Sequence, residues 1–104
     1  LKARYANVAV DDKGRVFNTD LLEAREIGYL LDCAEATVAG ALAREESRGA
    51  HWREDFPERN DTDWLKHTLA YRDANGKVTL DYRPMHMFTM TDDIKVIPPK
   101  ERVY

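Results

Sequence analysis

Cysteine occurs once in these 104 residues, as Cys33, so no internal disulfide can staple the fold. The sequence also lacks an apolar run of about 18 residues that could cross a bilayer, and it lacks a signal-peptide core. These absences lead us to expect a soluble protein of a reducing compartment. Charge of one sign is not in excess either: sixteen Lys and Arg face nineteen Asp and Glu, for a net charge of −3, with both signs interleaved along the chain. No basic block is available to neutralise a run of phosphates, and nucleic acid is excluded as the expected partner. Gly14, Gly28, Gly40, Gly49 and Gly76 are each isolated, which leaves no phosphate-cradling loop and no dinucleotide fingerprint. His51, His67, His86 and Cys33 are far apart and form none of the short-spaced ligand pairs of a zinc site, so no metal is expected.

The length suits one domain or a piece of one, with room for a modest core. The first residue is Leu1 rather than Met, in "LKARYANV", which reads as the tail of a charged helical segment. We therefore expect residues 1–104 to be a single piece of something larger, with 1–19 as an irregular lead-in. Asn18 or Thr19 caps the helix that follows. Nothing breaks that helix from Asp20 to about Arg48. Leu22, Ile27, Leu30, Leu31, Ala34, Val38, Ala41 and Leu42 recur on one face at three- and four-residue steps. A helix over 20–48 would be about 40 Å long, more than the rest of the chain could cover. Some of its stripe should face partners outside these residues. Gly28, Ala34, Ala36, Ala39, Gly40 and Ala43 keep much of the surface small enough for close approach by another helix.

Gly49 is expected to close the helix in the left-handed conformation. A charged loop follows over 49–67. The alternation of Leu69 and Tyr71, then of Val78, Leu80 and Tyr82, around Asn75-Gly76 predicts a β-hairpin over 68–82. Pro84, Pro98 and Pro99 mark 83–104 as an extended tail. The fold class is thus α+β and mainly helical.

The stretch "ESRGAHWREDFPERNDTDWLKHTL" concentrates the remaining chemistry. Ser47 and His51 could suggest a nucleophile and base, but a Ser in the last turn of a helix, without a strained elbow, is ordinarily a solvated or back-bonded hydroxyl. Cys33, beside the apolar stripe, reads as a small buried hydrophobe. Arg44 and Arg48 share a helix face and would pair with Glu45, Glu54, Asp55 or Glu58, or point together at an anion. Trp52, Phe56 and Trp64 interleave with the charges, as aromatic and Arg residues do at interface centres. Docking is the favoured single explanation.

These residues also carry a resemblance. Arg44, Glu46, Ser47, Arg48, Gly49, Ala50 and His51, followed by Arg53, Asp55, Pro57, Glu58, Arg59, Trp64, Leu65, His67, Thr68 and Leu69, resemble the C-terminal region of the succinate dehydrogenase and fumarate reductase flavoprotein family. "VFNTDLLEA" and "PPKERVY" extend the likeness over nearly the whole chain, with Asn60 where many members have Asp. The resemblance implies a parent subunit that binds FAD covalently and oxidises succinate to fumarate, or the reverse. It implies an iron-sulfur subunit and a membrane anchor as partners, at the cytoplasmic side of the inner membrane, with the catalytic residues upstream. The long helix would be the third of a three-helix bundle. Arg48, His51 and Arg53 would orient the bundle against the FAD-binding and capping domains, and Trp52 and Trp64 would supply buried area. Arg102 would approach the flavin, and Tyr104 would return with the tail. No cofactor or catalytic group is expected in these residues alone. The runners-up are the related L-aspartate oxidase and a helical module that forms homo-oligomers through the Ile27 to Leu42 stripe.

Overall fold

A computed structural model describes residues 1–100, and the expectations for Arg102 and Tyr104 fall outside the described residues. The order of elements is α1 (Lys2–Tyr5), α2 (Thr19–Ala43), α3 (Asp61–Trp64), β1 (Lys66–Arg72) and β2 (Val78–Pro84), an α+β arrangement. The chain divides into two compact units, Leu1–Val38 and Ala39–Tyr104.

In the first unit, the Asp12 carboxylate accepts the Gly14 N–H at 2.7 Å, and the Asn18 side-chain amide donates to the Asp12 and Gly14 carbonyls, each at 2.9 Å. This loop presents Asn18 as the cap of α2: its side-chain oxygen accepts the Leu21 N–H at 2.8 Å. Such a cap satisfies a donor that the first helical turn would otherwise leave unpaired. Thr19, the other candidate, is already helical. Lys2 pairs with Asp32 at 2.8 Å and with Glu35, joining α1 to α2. The Tyr5 hydroxyl lies where a Cβ on Gly28 would stand, 2.6 Å away, so only glycine allows that ring so close to the helix.

The predicted stripe on α2 is only partly covered: Leu31 and Ala41 are half-buried. Leu22, Ile27, Leu30, Val38 and Leu42 are all exposed, and no hydrophobic side chain among the described residues is buried. Cys33, expected to be buried, is exposed as well.

The helix also ends earlier than expected. It stops at Ala43, not near Arg48, and Gly49 does not close it. Residues 44–48 contain nothing that forbids a helix, but their hydrogen bonds go elsewhere: the Ser47 N–H donates to the Glu58 carbonyl at 3.0 Å, and the Arg48 N–H to the His51 carbonyl at 2.8 Å. Gly49 instead takes a φ of +59 in a two-residue turn that links the paired residues Arg48 and His51. A positive φ at the first central position is what a type II′ hairpin turn requires.

The hairpin is antiparallel and longer than the predicted 68–82, running in register from Lys66 opposite Pro84 to Arg72 opposite Val78. Its end is a three-residue loop rather than a two-residue Asn-Gly turn. The Asp73 carbonyl accepts the Gly76 N–H at 3.0 Å, the Asp73 N–H donates to the Lys77 carbonyl at 3.1 Å, and Gly76 has a φ of +83. A turn followed by a left-handed glycine is the other common hairpin closure. The expected charged loop over 49–67 is therefore bounded differently: it begins at Arg44, includes α3 and meets β1 at Lys66. After Pro84 the described tail has no helix or strand.

Candidate docking site

The second unit is organised around a carboxylate. Glu46 is fully buried and Ser47 nearly so, and they are the buried residues among those described. The chain bends at Glu46, and the Glu46 carboxylate gathers the side chains of Arg44 and Arg48 on either side of it in sequence. Glu46 accepts from Arg44, from Arg48 Nε at 2.8 Å and Nη2 at 2.9 Å, and from the Asn60 N–H at 2.9 Å. A buried carboxylate is tolerated when its lone pairs are filled in this way. Burial acts to raise the Glu46 carboxyl, but the bonds from Arg48, the Asn60 N–H and Arg44 outweigh it, and the group sits below its ordinary 4.5. The bond to Glu46 correspondingly raises Arg48, against burial and with help from Asp61.

The network continues outwards. Arg48 reaches Asp61 at 2.6 Å, and Arg59 reaches the other oxygen of that carboxylate at 3.0 Å. The Asn60 side chain caps α3 by accepting the Thr62 and Asp63 N–H groups at 3.1 and 3.0 Å. Arg44 donates to the Trp64 carbonyl at 2.9 Å and the Lys66 carbonyl at 2.6 Å, binding the start of the hairpin to the end of α2. Arg53 donates to the carbonyls of Leu42 and Arg44 at 2.6 and 3.1 Å, filling acceptors that the end of α2 leaves open. Its guanidinium also pairs with Asp55 and lies 4.7 Å from the Phe56 ring centre. The hydrogen bond from Arg53 holds the Asp55 carboxyl below its ordinary value.

The arginines therefore form an ion-pair network, as anticipated, but with different partners. Arg44 and Arg48 meet Glu46 and Asp61, not Glu45, Glu54, Asp55 or Glu58, and they meet on a non-helical segment. Ser47 and His51 do not form a nucleophile and base pair. The Ser47 hydroxyl accepts the Arg53 N–H at 2.9 Å and donates to the Phe56 carbonyl at 2.8 Å, and His51 Nε2 is buried without a partner among the described residues.

Of the aromatic candidates, Trp64 is half-buried, edge-on to Tyr82 with centroids 5.7 Å apart, and carries cations on its ring: Arg44 at 5.2 Å and Lys66 at 4.6 Å. Trp52 is 67% exposed. Sequence reasoning passed over Glu46, Asn60 and Lys66 as site residues. Two arginines flanking one glutamate, Arg44, Glu46 and Arg48, were the available signal for Glu46, legible only once the segment is taken as non-helical.

Rather than pointing together at an external anion, Arg44 and Arg48 are committed to Glu46 and Asp61.

Comparison with known proteins places this geometry. The family model described as "Fumarate reductase flavoprotein C-term" matches residues 1–104. The succinate dehydrogenase flavoprotein subunit of Rickettsia conorii is 51% identical over 104 residues, covering all of this chain and 17% of that protein. The fumarate reductase flavoprotein subunit of Escherichia coli is 45% identical over 106 residues, again covering all of this chain and 16% of that protein. A solved structure of an E. coli quinol fumarate reductase variant superimposes with a TM-score of 0.80 at 44% identity, over 99% of this chain and 17% of that one. The chain thus spans about a sixth of the length of the relatives it matches.

Proposed function

Because this chain belongs to the fumarate reductase flavoprotein C-terminal family, we propose that it serves as the C-terminal domain of a flavoprotein subunit that interconverts succinate and fumarate with FAD. In this reading its own role is structural. The flavin, the catalytic groups and the capping domain lie in the remainder of the subunit, which passes electrons to an iron-sulfur subunit and a membrane anchor. α2 is the last helix of a three-helix bundle whose other members lie outside these residues, and the parent complex sits at the cytoplasmic face of the inner membrane.

One observation carries the reading: among the described residues the buried positions are polar, Glu46 and Ser47, while Leu22, Leu30, Val38, Leu42 and Trp52 stay exposed. A chain that locks its own loop with charge and leaves its apolar faces open is suited to packing against a larger body. Arg48, His51 and Arg53 then set the shape of the docking face, and Trp52 supplies area. No helix among the described residues is long and apolar enough to cross a membrane.

Complementation tests this. The chain is co-expressed with a flavoprotein subunit lacking the corresponding region, and protein-bound flavin fluorescence and succinate-dependent dye reduction are measured. Recovery of both is expected. Dye reduction with L-aspartate instead would favour the L-aspartate oxidase reading. Failure of both signals with two soluble pieces would favour self-association through the α2 stripe.

A further inference from the structure

The second unit carries a groove that the ion-pair network leaves open. It measures about 380 Å³, with Ala41, Trp64 and Met85 among its apolar lining and Arg48, His51 and Lys66 among its polar lining. Among the described residues, two of those polar groups lack a hydrogen-bond or ion-pair partner. His51 Nε2 is buried without a hydrogen bond among the described residues, although buried polar atoms in folded proteins are nearly always paired. Lys66 holds its ammonium 4.6 Å from the Trp64 ring and 4.3 Å from the Tyr82 ring, and it meets no carboxylate among the described residues. Arg48, by contrast, is already neutralised by Glu46 and Asp61. Positive charge is thus left over at Lys66, beside an imidazole nitrogen able to donate and next to apolar surface.

The complement of that arrangement is a carboxylate on a segment with enough apolar surface to cover Trp64 and Met85. The matched relatives supply a source, since this region is only 17% of their length. Resting on the docking reading above, we propose that the groove receives an Asp or Glu side chain from the flavin-binding portion of the same subunit, with His51 Nε2 donating to the carboxylate and Lys66 opposing its charge.

The test uses the full-length, flavin-loaded subunit. A carbodiimide joins an amine to a carboxylate in direct contact, and peptide mapping identifies the linked pair. The expected product links Lys66 to an Asp or Glu outside these 104 residues. The link disappears in Lys66→Arg and drops several-fold in His51→Phe, but less in His51→Gln, whose amide can still donate. Absence of any Lys66 link overturns the proposal. A link to a carboxylate within these residues, on a second copy or on another subunit overturns it equally. Amide exchange along α2 in the same samples separates two kinds of failure. With α2 protected and no Lys66 link, this inference alone falls. With α2 exchanging as fast in the full subunit as in the isolated chain, the docking reading falls with it.

Discussion

Replacing Glu46 with Gln in the full-length subunit tests whether the buried carboxylate closes the segment between α2 and the hairpin. Gln has nearly the same shape, so no cavity opens. It removes the charge, however, and presents an N–H₂ group where the carboxylate accepted from Arg44, Arg48 and the Asn60 N–H. Breaking a buried charged set by removing one partner costs about 3–5 kcal/mol. Gln keeps one acceptor oxygen, and Arg48 retains Asp61 at 2.6 Å, so the lower end applies, about 3 kcal/mol. At about 1.4 kcal/mol per decade, local opening becomes roughly a hundredfold more frequent. Native-state amide exchange reads this directly at the N–H groups of Ser47, Arg48, His51 and Asn60, which are bonded across the segment. The expected result is exchange about a hundredfold faster there, with β1 and β2 little changed. A change below about threefold would refute the reasoning, since something other than Glu46 would then hold the segment closed.

The same carboxylate sets a pH dependence. Its folded-state pKa is below the ordinary 4.5, so the stability it contributes is complete above the unfolded value and is lost as pH falls through the folded one. Protection of these amides, corrected for intrinsic exchange, should stay flat from about pH 8 to about pH 5 and fall only below about 4.5. Gly49→Ala meets open space but must keep a φ of +59, so it should weaken the Arg48 to His51 turn by about 1–2 kcal/mol, visible as faster exchange at those two amides. Asn60→Ala should cost about 1 kcal/mol through the lost cap of α3, with faster exchange at Thr62 and Asp63, whereas Asn60→Asp keeps an accepting oxygen and most of that stability.

The hairpin could be read from sequence because its signals are local: alternation on both strands and a glycine placed for a positive φ. The start of α2 was equally legible, since Asn18 precedes an apolar period and needs no distant partner to cap it. Its end was not. "REESR" has good helix-forming residues and a glycine just beyond, and every local rule extends the helix to Arg48. What stops it is tertiary: Glu46 exchanges a solvated helical position for Arg44, Arg48 and the backbone at Asn60, fourteen residues on, and propensity is too weak to resist. For the same reason the orientations of the docking candidates were out of reach: Arg48 and Arg53 face inward onto Glu46 and the end of α2, while Trp52 is exposed.

The composition of the buried positions also sets a thermal character. Opening a region packed with hydrocarbon raises the heat capacity, which bends its stability into a dome that weakens on cooling. Opening around Glu46 exposes charged and peptide groups instead, and polar exposure carries heat capacity of the opposite sign. Ion hydration also becomes less favourable as temperature rises. The free energy holding the Arg44 to Asp61 segment closed should therefore lack that dome and gain strength on warming, as the ions that opening would expose become harder to hydrate.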